Sequence, residues 1–322
     1  MKLFQLLYLL FIVVFFGCNS SKKENEIEDQ ANRNKSSEQY LTILGVAQDV
    51  GYPQIDCEKE CCKLVYNGVD DKEMVSSLGL VDLKSNKKWL FDATPDIAQQ
   101  LHNLKKNHLD NGNVIDGIFL THAHIGHYTG LMFLGREALG GKQIPVYAMS
   151  RMKSFLETNG PWEQLVELEN IKLNALKNDS TIILNKNLKV KPFKVPHRDE
   201  YSETVGYKIE GKKKSALYIP DIDKWNKWER NIIDEVKKVD YAFLDATFFK
   251  EGELSRPMSE VPHPFIQETI NLFEKESAET KSKIYFIHLN HTNPALLDNS
   301  KLKDSIQNLG YHFAKQGANF EL

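Results

Sequence analysis

The chain has 322 residues, 41% of them hydrophobic and 26% charged, the make-up of a globular protein with room for one large α/β domain or two modest ones. A net charge of −3 lacks the basic excess of a broad nucleic-acid surface, so no nucleic-acid partner is expected.

The N-terminus departs from that average. Lys2 is followed by a nearly unbroken apolar run from Leu3 to Phe16, then Gly17-Cys18-Asn19-Ser20. One positive charge and a short hydrophobic core read as a secretory signal over residues 1–17, too short for a membrane span of about 20 residues. A small residue before Cys18 resembles the bacterial lipoprotein box, which implies lipidation of Cys18, a membrane partner reached through that anchor, and a periplasmic or cell-surface location. An uncleaved signal anchor or a plain secretory signal would also place the body outside the cytoplasm. Residues 18–39 are polar and charged and cannot bury enough surface to offset chain entropy, so they read as a flexible tether. The folded domain is expected over 40–322.

Strands are expected at Leu41–Ala47, Leu78–Leu83, Lys88–Phe91, Gly117–Leu120, Ile144–Ala148, Lys189–Val195, Val205–Ile209, Ala216–Ile219, Tyr241–Leu244 and Lys283–Ile287, from their β-branched and aromatic content between turn residues. Helices are expected at Asp96–Lys106, after Tyr128, and at Arg151–Glu157, Ile232–Lys238, His263–Lys275 and Ala295–Asn308, where apolar residues recur every three or four positions. Alternating strands and helices indicate an α/β class of two sheets with helices outside.

The chemistry concentrates in Thr121-His122-Ala-His124-Ile-Gly126-His127, directly after a short apolar strand. His122 and His124 project to one side of an extended segment, and His127 follows as the chain turns into a helix. Three imidazoles so close are poorly explained by packing, since each would need its own partner. They suit zinc or another first-row ion.

THAHIGHYTGL is similar to the HxHxDH signature of the metallo-β-lactamase superfamily. The later motifs appear in order: His197 in VPHRDE, Asp221 in LYIPDID and His288 in YFIHLNH. The resemblance covers roughly residues 41–310 and implies an αββα sandwich, two mixed sheets flanked by helices, with the metal at one edge between them. It implies His122, His124 and His197 as one ligand set, and His127, Asp221 and His288 as a second, Asp221 bridging. One position departs from the signature: its aspartate is Gly126. That leaves a three-histidine site with an open position and weakens the second site, so one or two zinc ions are expected, with iron or manganese as other candidates. The phrases LGVAQDVGYPQIDC, LFDATPDI, FLDATFF, VPHPF and HLNHTNP look like the branch that contains the pyrroloquinoline quinone biosynthesis B proteins. An exported chain would be oddly placed for a cytoplasmic pathway and reads as a relative with its own substrate.

Other residues keep more than one reading. Cys57, Cys61 and Cys62 fit three thiolates of a structural zinc with an unidentified fourth ligand, a disulfide with a spare thiol, or unpaired cysteines. Asp92 and Asp245 each end an apolar strand before Ala-Thr, where a carboxylate either orients a ligating histidine or caps the next turn. His263 and His291 fit either a site role, as substrate ligand, proton donor or replacement metal ligand, or a loop role. His102, His108 and His312 have no motif around them.

Together these residues predict metal-assisted hydrolysis of a small-molecule ester, lactone, amide or phosphodiester. Asp221 would hold the metal, Asp221 or a neighbouring histidine would orient a hydroxide, and His263 or His291 would stabilise an oxyanion. The alternatives are an iron-dependent oxidative enzyme and a lipid-anchored binding protein without catalysis. Nothing in the sequence specifies an oligomeric state.

Overall fold

Strands covered on both faces read as unbroken apolar runs rather than as alternations. β1 (Gln39–Gly45) and β2 (Ser77–Asp82) are covered in this way, all of their residues being buried, with Gln39, Thr42, Ser77 and Asp82 the polar exceptions to the run. The computed structural model describes residues 38–297 and 300–322. The signal segment 1–17, Cys18, and all of the 18–39 tether but its last two residues lie outside the described residues; Gln39 already belongs to β1. Among the described residues no helix is long and apolar enough to cross a membrane.

The first sheet adds β3 (Lys87–Phe91), β4 (Ile118–Phe119), β5 (Ile144–Ala148), β6 (Ile171–Ala175) and the C-terminal β14 (Asn319–Glu321), in the order β14-β1-β2-β3-β4-β5-β6. The second contains β7 (Ile182–Asn185), β8 (Leu188–Lys194), β9 (Val205–Glu210), β10 (Ser215–Ile219), β11 (Tyr241–Asp245), β12 (Ile284–Ile287) and β13 (His312–Phe313), in the order β13-β12-β11-β10-β9-β8-β7. Each sheet is antiparallel on one side and parallel on the other. Pairing is antiparallel from β14 to β3 and parallel from β3 to β6. It is antiparallel from β7 to β10 and parallel from β10 to β13.

The inter-sheet core joins Phe91 and Phe119 of the first sheet to Tyr207 and Tyr218 of the second, with ring centroids 5.3–6.0 Å apart across the sheets. A second core lies between the first sheet and the helices Ile97–Asn107, Ser150–Thr158 and Trp162–Glu167. The architecture is the expected αββα sandwich.

Two expected helices are shorter than their periodicity suggests. The one placed at His263–Lys275 spans Ile266–Leu272. Pro264 holds His263 out of helical conformation, and the Glu268 carboxylate caps the start by accepting the Phe265 N–H at 2.8 Å. The one placed at Ala295–Asn308 is a short 3-10 turn, Pro294–Leu296, followed by a helix at Lys301–Asn308. The Ser300 hydroxyl accepts the Lys303 N–H there and starts a new helix.

Candidate metal centre

In open α/β sheets, ligands gather beyond the carboxyl ends of the strands, and the titratable side chains here do so. Asp92 follows β3; Thr121, His122 and His124 follow β4; His197 follows β8; Asp221 follows β10; Asp245 ends β11; His288 follows β12. Asp92 and His288 stand in the left-handed region, φ 67° and 65°, a costly conformation for non-glycine residues that collects at functional sites.

All six expected ligands converge. His122 Nε2 lies 2.8 Å from His124 Nδ1, which is 3.3 Å from His197 Nε2. Asp221 reaches His122 and His197 at 3.3 Å each and His127 Nε2 at 3.7 Å. One donor atom each of His122, His124, His197 and Asp221 fall within 4.8 Å of one another, as do those of Asp221, Asp245, His263 and His288.

The hydrogen bonds around these rings determine which nitrogen carries the proton. Thr121 Oγ1 gives its proton to Asp92, at 2.9 and 3.0 Å from the two oxygens. It can then only accept from His122 Nδ1 at 3.0 Å, which leaves the His122 Nε2 lone pair facing the centre. Asp92 also accepts Nδ1–H of His127 at 2.8 Å, so His127 Nε2 faces inward as a lone pair. Thr247 repeats the device in the second sheet: its hydroxyl donates to Asp245 at 2.7 Å and accepts His288 Nδ1–H at 3.0 Å. His124 donates Nε2–H to Glu200 at 3.0 Å, freeing Nδ1.

Asp92 therefore orients a ring rather than capping a turn. Asp245 acts on His288 through Thr247, and directly on His263 at 2.9 Å. Glu200, Thr121 and Thr247 were missed in the sequence, although each sits inside a phrase already singled out, VPHRDE, LTHAH or DATFF.

Burial pushes His122 and His288 well below the ordinary imidazole range, so both are neutral. Burial would lower His127 too, yet Asp92, Asp221 and Asp49 raise it. Burial opposes ionisation of Asp221, but His197, His263 and His122 hold it well below the usual carboxylate range. At His263 burial is likewise overcome by Asp245 and Asp221, which raise it to about 10. His263 is thus a buried cation bonded to two carboxylates.

The buried Nε2 atoms of His127 and His288 have no hydrogen-bond partner, while Oδ1 of Asp221 faces His263 Nδ1 at 3.1 Å and His197 Nε2 at 3.3 Å. Unshared lone pairs converging in a buried volume are costly unless a cation satisfies them. The nitrogen and oxygen donor set fits zinc, iron or manganese.

His291 requires a correction. It was placed among the catalytic candidates, as substrate ligand, proton donor or replacement metal ligand, with a loop role as the alternative, but its Nδ1 lies 3.4 Å from Cys57 Sγ, 4.0 Å from Cys61 Sγ and 3.4 Å from Cys62 Sγ. The chain turns after His288 and carries the ring to the cysteine loop, where it supplies the fourth donor that the cysteine spacing left open. The three cysteines are unbridged. Burial raises the Cys62 thiol to about 12 and also raises Cys61.

Two mixed sheets with helices outside and a histidine–aspartate centre at one edge define the protein class. The family model for the β-lactamase superfamily domain matches residues 87–320, and the chain belongs to that superfamily. Among curated proteins it is similar to coenzyme PQQ synthesis protein B of Methylorubrum extorquens (strain PA1), 24% identical over 307 residues that cover 88% of this chain and 100% of the relative. It is also similar to the protein of that name from Acinetobacter baylyi, 25% identical over 88% of this chain and 99% of the relative. The same fold is found in Zn(2+)-bound PqqB from Methylobacterium extorquens, with a TM-score of 0.73 and 22% identity over 88% of this chain and 100% of that one. A diphosphatase from the PhnP family has a TM-score of 0.63 and 23% identity over 88% and 97% of the two chains.

Proposed function

We propose that this chain is a metal-dependent hydrolase that acts on a small-molecule ester, lactone, amide or phosphodiester with His122, His124, His127, His197, Asp221 and His288 as metal ligands. The observation that carries this reading is that His122, His124, His127 and His288 each commit their ring proton outward, to Thr121, Glu200, Asp92 and Thr247, leaving lone pairs that face the buried centre. A bound ion there would lower the pKa of a water and polarise a carbonyl or phosphoryl oxygen.

The chain's own residues then have separable tasks. Asp92 and Asp245, with Thr121 and Thr247, fix ring tautomers. His263 keeps a proton on Nδ1 between Asp221 and Asp245 and supplies positive charge where an oxyanion would develop. The diphosphatase from the PhnP family among the fold relatives adds diphosphates to the substrates to try.

The cysteine loop and His291 read as a structural zinc site, an all-protein Cys3His set. On the N-terminal segment rests the proposal of an exported protein anchored through Cys18, and small-molecule turnover outside the cytoplasm follows from it.

The test is turnover of chromogenic esters, lactones, amides and phosphodiesters by zinc-, manganese- and iron-loaded protein, beside His122→Ala. Activity with at least one class, lost in the variant, is expected. No turnover of any class, or equal rates in the variant, overturns the hydrolase reading. Iron retained in preference to zinc, with oxygen uptake, favours the oxidative enzyme.

A further inference from the structure

Gly126 takes the place of the signature's aspartate, which would remove one carboxylate from the second metal position. The structure shows what occupies the space instead. A Cβ at Gly126 would stand 2.7 Å from the Cα of Asp49 and 2.9 Å from its carbonyl oxygen. Real Cβ atoms do not approach backbone that closely. The loop after β1 can therefore follow this path only because residue 126 has no side chain.

That loop brings its own carboxylate. Donor atoms of Asp49, His127 and His288 lie within 4.8 Å of one another. Two of these three are the buried imidazoles whose Nε2 atoms have no hydrogen-bond partner. Asp49 itself is left-handed, φ 46°, a conformation that non-glycine residues rarely adopt. The neighbouring bonds hold it there. Gln48 N–H donates to the Leu289 carbonyl at 2.9 Å, Asn290 Nδ2 donates to Gln48 Oε1 at 2.6 Å, and Gly51 N–H closes the turn onto Gln48 at 3.0 Å. The loop is thus fastened to the residues that follow His288.

We infer that Asp49 is a ligand of the second metal position, supplying from the β1 loop the carboxylate that Gly126 cannot. The inference rests on reading the histidine–aspartate cluster as a metal centre, and it restores that position to a filled set of Asp49, His127, Asp221 and His288. Gly126 and Asp49 form an exchange: a side chain at 126 and this loop path exclude each other.

The test counts metal rather than activity. Full-length protein is stripped with a chelator, reloaded with zinc, freed of excess by gel filtration and analysed for zinc per chain, with affinities from calorimetric titration. The variants are Asp49→Asn, Asp49→Gly and His288→Ala. The cysteine site contributes equally to all of them and cancels. Both Asp49 variants should carry one zinc fewer than the wild type, or bind the last zinc at least about 10- to 100-fold more weakly, the range that loss of an outer-shell partner already costs. His288→Ala should show the same loss. Glycine accepts the left-handed backbone, so metal-free Asp49→Gly should melt no lower than the metal-free wild type. If both Asp49 variants keep the wild-type zinc content and affinity while His288→Ala loses an ion, the second site exists without Asp49 and the inference is wrong. If all three variants match the wild type, the second position itself is absent and the inference falls with it. The hydrolase reading is judged separately, by turnover of the loaded wild type.

Discussion

A hydroxyl group has one proton to give, and at Thr121 it goes to Asp92. The consequence passes through His122 to the centre, because the ring must then protonate on Nδ1 and present Nε2. Thr121→Val removes that acceptor while keeping the shape, and leaves a buried Nδ1–H without a partner, a penalty of about 1–3 kcal/mol. The expected outcome is a zinc affinity about 10- to 100-fold lower, measured by competition with a chromogenic chelator. A second residue-scale expectation concerns His108, whose ring contacts the Tyr40 hydroxyl at 3.2 Å and Thr42 Oγ1 at 3.3 Å. Burial lowers it from 6.5 to about 4. Below 6.5 the unfolded chain takes up a proton that the folded chain refuses until about 4, so stability is intact above that window and falls as pH drops through it. The loss is about 2–3 kcal/mol at most. Urea unfolding across the window should show a shallower decline for His108→Gln than for the wild type. The histidine ligands were legible in the sequence because they lie in short phrases at strand ends. Asp49 and the partnership of His291 with the cysteines were not, because each depends on loops far apart in the chain meeting at one seam.

At the scale of elements, strong apolar runs announced themselves and weak ones did not. β5 was expected at the bounds the structure gives. β6 and β7 were not expected, since Lys172, Asn174 and Asn185 interrupt them and their faces are partly exposed. Caps decided helix ends more than periodicity did, as at Ser300 and Phe265. The helix Ile232–Lys237 starts at Asn231, whose side chain accepts the N–H groups of Ile233 and Asp234. Asn231→Ala should cost about 1 kcal/mol, read as a lower denaturant midpoint with an unchanged slope. Buried Ile232 and Val236 keep the helix docked in that variant.

For the whole molecule, the cysteine loop is where distant parts of the chain could be tied by one ion. Cys57 precedes the helix Glu60–Tyr66, Cys61 and Cys62 lie in its first turn, and His291 lies 229 residues beyond Cys62. An ion shared by these four would reinforce a junction already made by the Ala47–Leu289 bridge and the Gln48–Asn290 side-chain bond. His291→Ala should lower the melting temperature and remove one zinc per chain, each lost kcal/mol being worth about 2–4 °C in a domain of this size. The metal-free wild type should melt close to the metal-free variant, because binding to the native state alone is what raises the curve.

The division of donors between the sheets has a consequence for how the protein matures. Asp49, His122, His124 and His127 come from the first sheet's strands, and His197, Asp221 and His288 from the second's. A nascent chain that has made only β1 to β6 carries several imidazoles but no complete cage, because three of the donors follow strands of the second sheet. Loading is therefore a finishing step that reports on the fold: a chain that holds its ions has already brought its two sheets together.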